Sequence, residues 1–187
     1  MSRTSVQVRA AATADAPVLR EVWTDILRRG TAAEQEADVL RVIAECADRE
    51  DRCIAVAEVD GRVAGAVFLE ATTLTPLNLE AAVLAVSPHV LPEFRRRGVG
   101  TALMDAATRF AEAQGIGTVA TAALANSRDA NRFMARLSLT PQATLRAAST
   151  SSVRSKLSAR RSTRNRGSRQ IDKVLAARRL GREHVAS

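Results

Sequence analysis

Apolar and polar residues alternate over residues 6–9, which predicts a short strand near the start of the chain. Asp15 then stands where a helix N-cap belongs. Val18, Leu19, Val22, Ile26 and Leu27 follow at helical spacing, so a first helix is expected to end near Gly30. Thr31, with Glu34 three positions later, reads as a capping box opening a second helix whose apolar stripe is Val39, Leu40, Val42 and Ile43. Residues 53–59 and 62–69 are β-type runs joined by Asp60-Gly61, the two-residue signal of a type I′ hairpin. Residues 72–79 carry polar side chains and Pro76 and read as a loop. Residues 81–91 are apolar enough for a strand buried on both faces, but Pro88 cannot donate to a ladder, which predicts a bulge over residues 87–89.

Over residues 101–114, Leu103, Ala107, Phe110 and Ala111 recur at intervals of three and four. Asp105, Arg109 and Glu112 lie on the other side, and Gly115 supplies a stop, which predicts an amphipathic helix. A weaker strand is expected over 118–124, a helix over 128–137 and a last strand over 141–146. Strands alternate with helices after an initial hairpin, so the class is α/β with a mixed sheet. Residues 149–170, rich in Ser, Arg and Ala, lack apolar periodicity and are expected to be flexible, while Ile171, Val174 and Leu175 suit one short basic helix over 171–180.

The chain of 187 residues is near the usual size of one domain and should bury one core. Aromatic residues make up only 3% and tyrosine is absent, so that core must be built from Ala, Val and Leu. The first ten residues hold no apolar signal region, and no run approaches the roughly 18 apolar residues of a membrane span. A cytoplasmic protein without membrane contact is expected. Cys46 and Cys53 have no CxxC or Cys/His spacing around them, so they read as small buried hydrophobes, with no metal site. The net charge of +8 would point to nucleic acid if it were spread evenly, but it is not. Residues 147–187 hold 11 basic residues against 2 acidic, and residues 1–146 hold 17 against 18. The expected division is therefore a neutral domain, 1–146, and a basic extension, 147–187. The extension is the candidate for weak, non-specific nucleic-acid contact through counterion release, and it has no aromatic residue for base stacking.

The segment most suggestive of chemistry is Pro92-Glu93-Phe94-Arg95-Arg96-Arg97-Gly98-Val99-Gly100, between a buried strand and a helix start. Amides at a helix N-terminus have no intrahelical partner and sit at the positive end of the macrodipole, so they can bind a diphosphate through main chain alone. Gly98 and Gly100 let the backbone approach the phosphates, and the three arginines add positive charge. A Walker A loop would need GxxxxGK and a dinucleotide fingerprint GxGxxG; neither occurs here.

R-x-x-G-x-G after the V-x-P strand end, Val90-Leu91-Pro92, resembles motif A of the GNAT superfamily of acetyl-CoA-dependent N-acetyltransferases. The resemblance runs from about Val6 to Arg146. It implies a mixed, mostly antiparallel central sheet flanked by helices, with a splayed central strand pair. It also implies acetyl-CoA as co-substrate. The amides of Arg96, Arg97, Gly98, Val99, Gly100 and Thr101, with Arg95 beside them, would bind its pyrophosphate. The backbone of His89, Val90 and Leu91 would pair with the pantetheine arm. The family's second motif reads here as Ser127-Arg128-Asp129-Ala130-Asn131-Arg132-Phe133-Met134. Ser127 stands for an Asn that contacts the cofactor, and Met134 for the Tyr that protonates the departing CoA thiolate, which methionine cannot do. A catalytically impaired acyl-CoA-binding module is the alternative. His89, with a pKa near neutrality, is the candidate base, and Glu70 and Glu80 are further candidates acting through water. The acceptor would be a small-molecule or peptide amine, lined by residues 72–79 and the first two helices. A homodimer is compatible with this reading.

Overall fold

The computed structural model describes residues 5–122 and 128–160. The chain divides into two compact units, Met1–Thr140 and Pro141–Ser187, so the division falls six residues before the one expected from charge. The first unit holds a five-stranded sheet of order β1-β2-β3-β4-β5, from β1 (Val6–Ala10), β2 (Arg52–Val59), β3 (Arg62–Thr73), β4 (Ala81–Val90) and β5 (Val119–Ala122). The first three pairings are antiparallel and β4 pairs β5 in parallel. The expected mixed, mostly antiparallel sheet is therefore present.

The β2–β3 hairpin turns at Asp60 and Gly61, with φ of 52° and 74°, as a type I′ turn requires. α2 (Ala32–Ala47) opens with the expected capping box: the Glu34 amide donates to the Thr31 hydroxyl at 3.3 Å, and the Thr31 amide donates to the Glu34 carboxylate at 2.7 Å. α3 (Val99–Ala113) makes the parallel crossover from β4 to β5, and α4 (Arg128–Arg136) follows β5.

Strand alternation gives the sheet two buried faces. On one, Val59, Val67, Leu69, Val83 and Ala85 pack under Leu103 and Ala107 of α3. On the other, Ile54, Val56 and Ala66 pack with Val39 and Ile43 of α2 and with Leu19, Val22 and Trp23 at the end of α1 (Ala16–Val22). Arg9 ties the start of that layer to the sheet, donating to both oxygens of Asp15 at 2.6 and 2.8 Å and to Glu58. The guanidinium holds the Asp15 carboxyl below the usual carboxylate range.

Four local expectations fail. α1 ends at Val22 rather than near Gly30: Thr24 and Asp25 are weak helix formers, and Trp23 leaves helical geometry at φ −107° and ψ 20°. Residues 72 and 73 extend β3 rather than belonging to the loop, because they pair with Ala82 and Ala81. Residues 141–146 form no strand and are exposed. Residues 150–160, expected to be flexible, form α5, because Ser149 caps the turn by accepting from the Ser152 amide at 3.2 Å. Val153 and Leu157, one turn apart, supply the only apolar spacing in this stretch. Residues 123 and 124 of the fifth predicted strand and the helix expected over 171–180 lie outside the described residues.

Candidate functional site

The bulge expected from Pro88 is present. Val86 pairs with Phe68 and His89 with Ala66, so Ser87 and Pro88 together oppose Val67, and Ser87 takes a left-handed φ of 47°. The missing proline donor falls where the ladder is already broken. The Ser87 carbonyl is satisfied from outside the sheet, accepting the Trp23 indole N–H at 3.0 Å.

The extra residue reverses the alternation of side chains along β4. Before the bulge, Val83 and Ala85 face α3. Beyond it, His89 pairs with Ala66 and so lies on the α1–α2 face, while Val90 joins the α3 face. An unbroken β4 would turn His89 toward α3.

Among the described residues, β5 pairs with β4 from Val83 to Val86. The Leu91 amide donates to the Ala64 carbonyl at 2.9 Å, so by alternation the amide and carbonyl of Val90 point away from β3. β3 can come close enough only because position 65 is glycine: a Cβ there would lie 2.4 Å from the His89 carbonyl oxygen.

β4 runs through a short 3-10 turn, Pro92–Phe94, into the arginine turn. Arg96 and Gly98 have φ of 62° and 84°, and Arg97 between them does not have a positive φ. Two left-handed residues in so short a turn bend the main chain sharply ahead of α3, as anion-binding turns do. The Ala102 amide is the first of α3 to find an intrahelical acceptor, the Gly98 carbonyl, which leaves the amides of Val99, Gly100 and Thr101 outside the helical ladder. Arg95, Arg96, Arg97, Gly98 and Thr101 are exposed. The arginines differ in what they touch. Arg95 reaches the Val90 carbonyl at 3.4 Å, and Arg97 stacks on the buried Phe94 ring, 5.6 Å from its centroid. Gly100 departs from expectation: a Cβ there would rest 3.4 Å from the Phe133 ring of α4, so its small size serves helix packing, whereas Gly98 faces open space.

His89 is half-buried. Burial and the nearby Arg95 charge both lower its pKa from the usual 6.5, with Asp25 opposing them. Glu70 is held by Arg52 at 2.7 Å. Glu80 accepts from Thr118 at 2.8 Å at the far end of β4, seven residues or about 23 Å from the bulge. The loop expected to line the acceptor side closes that same far end, so the α1–α2 side alone is near the bulge. Met134 is buried in the α3-side core. Ser127 lies outside the described residues.

Two participants were missed in the sequence. The predicted apolar stripe of α1 does not include Trp23, and Gly65 falls inside a β-type run. An isolated glycine within a strand run does signal close backbone approach.

Similarity to known proteins follows the same geometry. No curated protein matches the chain. Among solved structures, a transcriptional regulator from Bacillus halodurans is similar at 16% identity and a TM-score of 0.64, covering 78% of this chain and all of the other. An aminoglycoside N-acetyltransferase in complex with CoA is similar at 16% identity and 0.64, covering 79% of this chain and 95% of the other. Glucosamine-6-phosphate N-acetyltransferase from Arabidopsis thaliana is similar at 15% identity and 0.62, covering 78% and 99%. At these identities the likeness is one of fold. The family model described as the acetyltransferase (GNAT) family matches residues 19–138, from α1 through the bulge and the arginine turn to the end of α4, and this chain belongs to that family.

Proposed function

We propose that the chain transfers the acetyl group of acetyl-CoA to an amine. The observation that carries this reading is the joining of two backbone features at one end of β4: the turn of residues 96–101, and the amide and carbonyl of Val90 turned away from β3. The amides of the turn suit a pyrophosphate, and Arg95 and Arg96 add charge at its rim. The Val90 amide and carbonyl suit an extended chain of amide groups, as in a pantetheine arm. In the transfer, the amine nitrogen bonds to the thioester carbon and the carbon–sulfur bond breaks. His89, kept neutral by burial, accepts the proton the nitrogen sheds. The leaving thiolate needs no acid from the protein to depart, because thiol pKa values are near 8.5. Positioning then supplies most of the rate.

Acetyl-CoA titrated calorimetrically into the protein should bind, and an amine panel should release free thiol. A folded protein that neither binds acetyl-CoA nor releases thiol would overturn the proposal. The buried Met134 in place of a tyrosine supports a second reading, acyl-CoA binding without turnover. Binding with no thiol release from any amine would select it.

A further inference from the structure

We infer that the acceptor carries a benzene-sized apolar group close to its amine, and that this group enters a cavity between α1, α2 and the sheet; the inference rests on the acetyl-transfer reading. The cavity has a volume of about 160 Å³ and is walled by Trp23, Ile26, Val39, Val42, Phe68 and Val86. Its one polar wall residue, Asp38, is already committed to Arg28 at 2.5 Å, so the recognition it offers is apolar. The recess is open on one side, and its volume is close to the roughly 150 Å³ of an apolar site that accepts a benzene-sized guest.

Position ties the cavity to the chemistry. Val86 in its wall immediately precedes the bulge, and Trp23 in its wall donates to the bulge carbonyl at 3.0 Å. His89 lies on the same face of the sheet through its pairing with Ala66. An amine nitrogen standing at the bulge therefore reaches the cavity through a short tether. A bare or hydroxylated alkylamine would leave this surface in contact with water. Ile26, partly exposed at the rim, marks the way in.

Trp23 is the only tryptophan and the chain has no tyrosine, so its ultraviolet emission reports directly on the cavity wall. The full-length protein, with and without saturating CoA, is titrated with 2-phenylethylamine and with ethylamine, which share the amine and differ in the ring. The ring-bearing amine should shift Trp23 emission and saturate at a concentration at least tenfold below ethylamine. Val42→Phe, which fills the cavity, should remove that difference. If that variant does not fold, Ile26→Ala at the exposed rim should still weaken the ring-bearing amine alone. Equal saturation by the two amines, or an emission unmoved by either, overturns the inference. Calorimetry with acetyl-CoA separates the two claims: no binding there overturns the transferase reading and leaves the amine titration standing, whereas tight binding with no preference between amines overturns only the cavity.

Discussion

Replacing Gly65 by alanine tests whether the β3–β4 approach holds the site together. The added Cβ would sit 2.4 Å from the His89 carbonyl oxygen and 3.2 Å from both the Val90 Cα and a Val99 methyl. To reach even 3.0 Å the carbonyl must retreat by at least 0.6 Å, and what retreats is backbone rather than the end of a flexible side chain. Overpacking costs about 1–3 kcal/mol, and a clash with main chain belongs at the upper end. For a unit of this size about 3 kcal/mol corresponds to a fall in Tm of roughly 10 °C. The displaced segment includes Val90, so acetyl-CoA affinity should fall with it. Gly117→Ala is the internal control, because a Cβ there meets nothing within 4 Å and should leave Tm unchanged. Differential scanning calorimetry of the two variants beside the parent decides the matter. A Gly65→Ala protein that melts within about 2 °C of the parent and binds acetyl-CoA as tightly would refute the close approach at the bulge.

Trp23→Phe keeps a ring in the core but leaves the Ser87 carbonyl without its donor; it should cost about 1–3 kcal/mol in chemical denaturation and slow transfer while acetyl-CoA still binds. An unchanged midpoint and rate would show that the indole is only filler. Gly98→Ala forces a side chain into φ +84° and should cost about 1–2 kcal/mol and weaken acetyl-CoA in calorimetry, whereas Gly100→Ala, with its Cβ in ordinary contact with Phe133, should be milder. In a His184→Gln background, NMR titration of the remaining histidine should give a midpoint below 6.5, because burial and Arg95 favour the neutral ring. With a lowered folded-state pKa, His89 contributes stability that is present above 6.5 and lost as pH falls through the folded midpoint. kcat/KM should rise with pH through that midpoint and then level, and a midpoint at or above 6.5 would contradict the burial argument. Thr31→Ala should lower stability by about 1 kcal/mol through loss of the cap of α2, read from the denaturation midpoint.

What the sequence disclosed was carried by local signals. Asp60-Gly61, the Thr31–Glu34 box and the Pro88 bulge each depend on residues within a few positions, where backbone geometry leaves few solutions. The arginine turn was legible for the same reason, since its chemistry lies in main-chain amides between a strand and a helix. The indole that supports the bulge was not legible, because Trp23 and Ser87 are 64 positions apart and nothing local links them. The end of α1 was hidden likewise: its apolar spacing runs on to Leu27, which packs from a turn rather than a helix. The last predicted strand rested on position in the chain more than on pattern, and residues 141–146 have no ladder to join. Gly100 shows a right residue read for the wrong neighbour, since its partner in space is Phe133.

The one-residue excess at Ser87-Pro88 sets folding against function. Deleting Pro88 would restore an unbroken β3–β4 ladder and remove the left-handed Ser87, changes that favour the sheet. It would leave His89 opposite Ala66 but take away the break in the ladder on which the geometry around Ser87 and the Trp23 indole depends. Selection for thermal stability alone should therefore drift toward repairing this strand, and the most stable descendants of this chain should be the ones that have lost the site.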